Sequence, residues 1–247
     1  MSSIFDSAQY PTPMDWDKIY EEKKVSWDKI QLTQTGGTFN FLDFQGIELS
    51  YWLKEFNNRV FDLVCSYVLM MNYYNLGIPD KEWFISPGRN GESVEYFPHF
   101  ESKHHHYLYW FGFYMDSYYS RYSGILDTIY HLINIKYDFN VESILGFRRE
   151  ILKQLKTSDK ELFKFLDSIK ANTVYLRVNE FRNNITHNFR PNQIDSGINQ
   201  KKQGGGITIT TMSVGNYTPT NEFVANINES IDLLAFIVEN VRDKIEA

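Results

Sequence analysis

Residues 47–76 read IELSYWLKEFNNRVFDLVCSYVLMMNYYNL, and this stretch establishes the class of fold. Its apolar side chains recur every three or four residues, which is the spacing of one buried face on an α-helix. They are Leu49, Leu53, Phe56, Val60, Leu63, Val64, Tyr67 and Met71. Gly77 and Pro79 end the pattern, because glycine favours a helix C-terminus and proline lacks a backbone N–H. The stretch predicts a long helix that packs along one side.

The same periodicity continues outward along the chain. It predicts helices over residues 105–137, about 141–157 and about 160–189, and a last helix that begins at Thr220 or Asn221. Ser158 or Asp159 is the expected N-cap where the third region breaks. Pro191 ends the helix of residues 160–189, because its ring forbids continuation. We therefore predict an all-α fold, a bundle of four to five long helices with small β-hairpin insertions.

Three segments depart from the helical pattern. Residues 79–103 contain a Ser-Pro-Gly-Arg-Asn-Gly turn between apolar runs, which predicts a loop or hairpin. Residues 191–219 contain three consecutive glycines followed by Ile-Thr-Ile-Thr-Thr, which predicts a loop with a short β-ribbon. Residues 1–48 are predicted to be a mostly irregular N-terminal extension, with the helical domain spanning 49–247. Within the extension, Trp16, Ile19, Tyr20, Trp27 and Ile30 can form one short amphipathic face, and Phe39 and Phe41 suggest a brief strand.

Composition excludes several classes of protein. The chain has 247 residues, with 25 basic against 31 acidic side chains and a net charge of −6, which argues against a uniformly basic nucleic-acid binder. Cys65 is the single cysteine, so a disulfide framework is excluded. The N-terminus is acidic and contains prolines, unlike a signal peptide, and no apolar run approaches the roughly 20 residues of a membrane span. We expect a soluble cytoplasmic protein without a membrane partner.

Charge is concentrated in one segment. Residues 148–190 carry ten basic and five acidic side chains, so the remainder of the chain is strongly acidic. A basic element on an acidic body is typical of a local phosphate-binding site, although solvated lysines on a helix face give the same count.

The basic segment ends in Glu-Phe-Arg-Asn-Asn-Ile-Thr-His-Asn-Phe-Arg-Pro at residues 180–191. Arg182, a following polar residue and His187 after four intervening positions resemble the signature of HEPN domains, and the helical reading of residues 49–247 suits that family's bundle. The resemblance implies a metal-independent endoribonuclease of a bacterial toxin–antitoxin or antiviral defence type. It also implies an RNA substrate, a homodimer whose motifs meet across a two-fold axis, and an antitoxin or regulatory protein as a further partner.

The residue chemistry suits RNA cleavage without a cofactor or metal. A neutral imidazole exchanges protons near neutral pH, and a guanidinium holds a phosphate by two parallel hydrogen bonds. We assign Arg182 and His187 as catalytic, with Asn183 orienting the imidazole or binding phosphate. The RNA is expected to contact Arg177, Asn184 and Arg190 of the same segment.

Helix geometry complicates this site. Five residues on a regular helix place Arg182 and His187 about 140° apart. Either the helix loosens over the Asn-Asn-Ile-Thr run, or the site combines side chains from two chains. HEPN ribonucleases resemble the second case, so we predict an isologous dimer.

Other interpretations compete with the nuclease hypothesis. Arg182 can be a structural arginine beside the apolar stripe, either snorkelling or salt-bridged to Glu180 or to an acid on another helix, and His187 can simply complement the helix dipole. The chain is then a catalytically inactive HEPN-like module that binds nucleotide, RNA or protein, or a helical scaffold. The three consecutive histidines at 104–106 do not predict a metal site, because adjacent helical residues point apart. Asp116 and Arg121 suggest a structural polar pair.

Overall fold

The computed structural model describes Ile4 and residues 8–33, 42–204 and 207–246. The helices, in chain order, are α1 (Pro13–Glu21), α2 (Lys24–Ile30), α3 (Phe44–Asn75), α4 (Ser102–Lys136), α5 (Phe147–Ser158), α6 (Lys160–Ile169), α7 (Thr173–His187) and α8 (Thr220–Glu246). Two antiparallel hairpins interrupt them, β1 (Phe84–Ile85) with β2 (Glu95–Tyr96), and β3 (Ile198–Gln203) with β4 (Ile207–Met212). The predicted all-α class with small hairpin insertions is confirmed.

Helices α3, α4 and α8 form the centre of the bundle. The apolar stripe predicted on α3 is the one that is buried, with Phe56 and Leu63 fully enclosed. Helix α4 contributes three buried tyrosines, and two of their hydroxyls find hydrogen-bond partners on α8, whereas that of Tyr122 has none among the described residues. Tyr118 shares a hydrogen bond with Ser230 Oγ (2.8 Å), and Tyr119 donates to Asn226 Oδ1 (3.0 Å). Helices α4 and α8 are therefore joined by polar contacts in addition to their apolar packing.

The helix predicted over residues 160–189 is in fact two helices. Helix α6 ends at Ile169, and α7 begins at Thr173. The Asn172 side chain accepts hydrogen bonds from the N–H groups of Val174 (2.9 Å) and Tyr175 (3.2 Å), which caps a new helix. Asp159 caps α6 in the same way, accepting from the Leu162 N–H (3.0 Å), as the sequence predicted.

The N-terminal extension is more regular than expected. Residues 13–21 and 24–30 are helical, so the prediction of a mostly irregular segment is wrong over α1 and α2. A capping box between Thr12 and Asp15 starts α1. Ile19, Trp27 and Ile30 are buried in the main core, which is the physical reason these short helices persist. The strand suggested at Phe39 and Phe41 lies outside the described residues.

In the described part of the chain, no helix is both long enough and apolar enough to cross a membrane.

Candidate functional site

Helix α7 positions the arginine–histidine motif. Its buried side, Val178 and Phe181, packs into the bundle, and the Phe181 ring contacts those of Phe223 and Tyr119 at centroid distances of 4.6 and 5.6 Å. The opposite side of α7 faces solvent. The motif therefore lies on a helix whose orientation is fixed by aromatic packing.

The helix remains regular through the motif. It is α-helical to His187, and the Asn188 N–H still donates to the Asn184 carbonyl oxygen at 3.1 Å. The loosened helix that one interpretation requires does not occur. Arg182 and His187 of one chain consequently lie on different faces of α7, about 140° apart around its axis.

Arg182 is half-buried at the edge of the packed face, and within the described residues its guanidinium donates to the Asn183 amide oxygen alone (3.2 Å). Glu180, the acid proposed as its structural partner, instead pairs with Arg177 (3.0 Å). Among the described residues no carboxylate pairs with Arg182. The salt-bridge interpretation of this arginine is therefore not what the structure shows.

His187 is the last residue of α7 and is exposed, as is Asn183 one turn before it. Within the described chain no residue hydrogen-bonds to the imidazole. Its position also suits a cation that complements the helix dipole, so this alternative remains open. Asn184 accepts a hydrogen bond from Asn188 (3.0 Å), which orders the C-terminal turn.

The two flanking arginines are already engaged. Arg177 pairs with Glu180, approaches Glu222 (3.5 Å) and lies over the Phe181 ring (4.3 Å to the centroid). Arg190 pairs with Asp116 of α4 at 3.2 Å. Binding of an RNA phosphate by either guanidinium thus competes with an internal carboxylate.

Asp116 is the residue that sequence reasoning missed. It was expected to pair with Arg121, but Arg121 binds Asp62 (2.6 Å), and Asp116 holds Arg190 beside the motif. Burial raises the pKa of Asp116 to about 6, and no described residue forms a hydrogen bond with its Oδ1 atom. The sequence did contain a signal for this residue, because Asp116 is a carboxylate on a mostly apolar face of α4.

The segment after α7 packs tightly on α4 at this point. A Cβ atom added at Gly112 would lie 2.5 Å from Asn192 Nδ2, so glycine permits the close approach. Gly112 and Asp116 are one turn apart on α4. Asn192 packs against Gly112, and Arg190 pairs with Asp116. The residues that follow His187 are therefore fixed to the bundle.

An apolar cavity of about 190 Å³ lies elsewhere, between α4, α5, α6, α7 and α8. Leu126, Ile129 and Leu152 line it, and none of the predicted site residues does. Tyr175, its contribution from α7, is about 18 Å along the helix axis from His187. This cavity is therefore separate from the motif.

The motif also supplies no preformed metal centre. In the part of the chain that is described, no three His, Cys, Asp or Glu side chains converge as a metal site would require. His104 accepts a hydrogen bond from the Glu101 N–H (2.9 Å) through Nδ1 and thereby caps α4.

Comparison with known protein families identifies a matching family model. A family model described as HEPN_Cthe2314-like HEPN matches residues 52–246, which include α4 to α8 and most of α3. No curated protein and no solved structure matches the chain.

Proposed function

The chain belongs to the HEPN_Cthe2314-like HEPN family, and from this premise we propose that it is a metal-independent endoribonuclease. Family membership supports a nuclease-like module, and the cleavage chemistry is our inference from the motif. Arg182, Asn183 and His187 are the proposed catalytic residues.

The proposal rests on the lack of a described carboxylate partner for Arg182 and on the exposure of His187. Around the motif, Arg177 and Arg190 are held by carboxylates, whereas no described carboxylate pairs with Arg182, and the His187 imidazole is exposed. A salt-bridged structural arginine would be paired with an acid, and Arg182 is not paired with a described one. A guanidinium and an imidazole left available beside solvent suit an anionic substrate.

In the proposed reaction His187 accepts the proton of a ribose 2′-hydroxyl, and the freed oxygen attacks the adjacent phosphorus. Arg182 binds the non-bridging phosphate oxygens and stabilises the charge that develops on them. The bond to the 5′-oxygen breaks, and a protonated imidazole supplies the proton to that leaving group. The products are a 2′,3′-cyclic phosphate and a 5′-hydroxyl.

The proposed active form is an isologous homodimer. Because α7 is regular, one chain presents Arg182 and His187 on different faces, and a second chain related by a two-fold axis can supply the missing group. Phe113 of α4 and Phe189, which follows the motif, are each more than half exposed, and large exposed aromatic side chains support a protein contact near the site.

Arg177, Asn184 and Arg190 are proposed to bind phosphates on either side of the scissile bond. We further propose a cytoplasmic toxin or antiviral defence effector, restrained by an antitoxin or another regulatory protein. The net negative charge of the chain is compatible with RNA binding if the dimer cleft is locally basic.

The test is cleavage of total RNA by the purified protein in EDTA. Wild type is compared with Arg182→Ala and His187→Ala, and with Arg149→Ala and His99→Ala as matched controls. Both control side chains are exposed and belong to elements other than α7, Arg149 to α5 and His99 to the segment before α4. The proposal predicts cleavage by wild type and both controls, and a loss of at least about 100-fold in the two motif variants.

Other outcomes identify the alternatives. RNA binding without cleavage by all five proteins indicates a catalytically inactive HEPN module. Neither binding nor cleavage indicates a helical scaffold. Cleavage that survives both motif substitutions would contradict the assignment of Arg182 and His187.

A further inference from the structure

The ribbon formed by β3 and β4 projects from the bundle directly after the motif. All twelve of its residues are exposed, so no other described element covers either of its faces. Ile198, Ile207 and Ile209 are about half exposed, and Met212 is 80% exposed. A two-stranded ribbon is marginally stable alone, and a further strand along a free edge stabilises it.

The base of the ribbon is held firmly. The Asp195 carboxylate accepts hydrogen bonds from the Gly197 N–H (2.8 Å), the Asn216 N–H (3.0 Å) and the Asn216 amide nitrogen (2.9 Å). The Tyr96 hydroxyl donates to the Val214 carbonyl (2.9 Å) from the other hairpin. The ribbon is therefore presented in a defined direction.

The two edges of the ribbon differ in charge. Strand β3 carries Lys201 and Lys202, and charged side chains, lysine above all, are the usual protection of an exposed edge against further strands. Strand β4 has no charged residue, and five of its six residues are isoleucine or threonine, which favour sheets. Only the β3 edge is protected.

The hydrogen-bond pattern shows which groups of β4 are available. The Ser213 N–H donates to the Gly197 carbonyl (3.0 Å), and hydrogen-bonded pairs alternate along an antiparallel ladder. From that pair, the register leaves the backbone N–H and C=O groups of Thr208, Thr210 and Met212 pointing away from β3. Within the described residues no third strand pairs with this edge.

We propose that the β4 edges of two copies of this chain pair antiparallel, with Thr210 opposite the same residue of the second copy. That register places Thr208 opposite Met212 and uses all three outward-facing residues, for about six hydrogen bonds. The product is a four-stranded sheet with β3 at both edges. Because the lysines then protect both edges, assembly closes at two copies rather than continuing as a fibre.

The composition of the ribbon favours this occupant over RNA. Residues 198–212 contain neither arginine nor an aromatic residue, the side chains that stack on bases. The two lysines are adjacent in β3 and therefore face opposite sides of the ribbon. The paired ribbons would bring two arginine–histidine motifs together, and this role rests on the proposed function.

Site-directed cross-linking tests the pairing in the full chain. In a Cys65→Ser background, Thr210→Cys is compared with Gln200→Cys, its directly opposed residue on the β3 edge. With a short bis-maleimide at low micromolar protein, Thr210→Cys is expected to form covalent dimers and Gln200→Cys is not. Equal cross-linking of both, of neither, or of Gln200→Cys alone overturns the proposal.

Proline variants test the same edge without a reagent. Thr210→Pro removes an outward N–H but no ladder bond, and Gln200→Pro does the same on β3. Circular dichroism confirms folding, and analytical ultracentrifugation measures dimerisation. We expect Thr210→Pro to raise the dimer dissociation constant at least about tenfold and Gln200→Pro to change it less than about twofold. Equal effects of the two variants contradict the proposal.

The results separate this inference from the nuclease proposal. Wild-type RNA cleavage in EDTA without Thr210→Cys cross-linking rejects the sheet and leaves the nuclease. Cross-linking without RNA cleavage supports the sheet and rejects the nuclease. If Lys201→Glu with Lys202→Glu weakens RNA binding while Thr210→Pro leaves dimerisation unchanged, the ribbon is an RNA-binding arm and the pairing is overturned.

Discussion

Arg182 and His187 lie on different faces of the uninterrupted helix α7, about 140° apart around its axis. The aromatic packing of Phe181 on Phe223 fixes the orientation of this helix. Because α7 does not loosen over the motif, a single chain does not direct both side chains at one phosphate. The proposed catalysis follows only if a second chain completes the site.

The first prediction concerns the chemistry of the products. An RNA oligonucleotide with one cleavage position is expected to yield a 2′,3′-cyclic phosphate and a 5′-hydroxyl, because the ribose supplies the nucleophile. A single 2′-deoxy substitution on the 5′ side of that position is expected to abolish cleavage there. Mass spectrometry of the fragments checks both results. Products with a 5′-phosphate contradict this mechanism.

The second prediction concerns Asp116. Burial raises its pKa to about 6 in the folded protein, from 3.8 for an unperturbed aspartate. The folded state thus binds the proton more tightly, and the stability gained from it is complete below pH 3.8 and lost as the pH rises through about 6. Asp116→Asn should remove this dependence and be more stable than wild type at pH 7.5, by about 1–2 kcal/mol.

Urea denaturation of both proteins between pH 4 and 8 measures this effect. The Arg190 side chain is half exposed, so its ion pair with Asp116 contributes little to the free energy of unfolding. Losing that pair therefore costs less stability than removing the buried negative charge gains. A variant that retains the wild-type slope, or that is clearly less stable at pH 7.5, contradicts the interpretation of Asp116.

The third prediction tests whether the N-terminal helices belong to the core. Trp27 is 1% exposed and packs edge-on against Tyr67, at a centroid distance of 5.6 Å. Trp27→Ala is expected to lower the free energy of unfolding by about 3–5 kcal/mol, because it leaves a large cavity. Val25→Ala, 71% exposed on the same helix, should change it by less than about 0.5 kcal/mol. Equal effects imply that α2 does not pack as described.

Periodicity predicted the central helices because their burial is one-sided. Leu53, Phe56 and Val60 repeat at helical spacing and are all buried, so the pattern alone located the packed face of α3. The same reasoning missed the break between α6 and α7. Lys170 and Ala171 favour helix, and only the cap formed by Asn172 reveals the new start.

The sequence places the proposed site residues on one helix but does not predict their surroundings. Arg182, Asn183 and His187 are close together in sequence, and all three lie on α7. The Asp116–Arg190 pair joins residues 74 positions apart in a register set by the bundle, which no local pattern encodes. The partner of Glu180 was misjudged although local geometry identifies it, because Arg177 lies three residues away on the same face of the helix, whereas Arg182 lies two residues away and does not face it.

Complementation between two inactive variants tests the central claim most directly. Arg182→Ala and His187→Ala are each purified, mixed in equal amounts, allowed to exchange subunits and assayed for RNA cleavage in EDTA. In a mixed dimer, a site shared between chains retains one intact Arg182 and His187 pair. Activity of about a quarter of the wild-type value is then expected, because half of the dimers are mixed and each has one working site. If verified mixed dimers remain inactive while wild type cleaves, the two residues do not act together across a dimer interface.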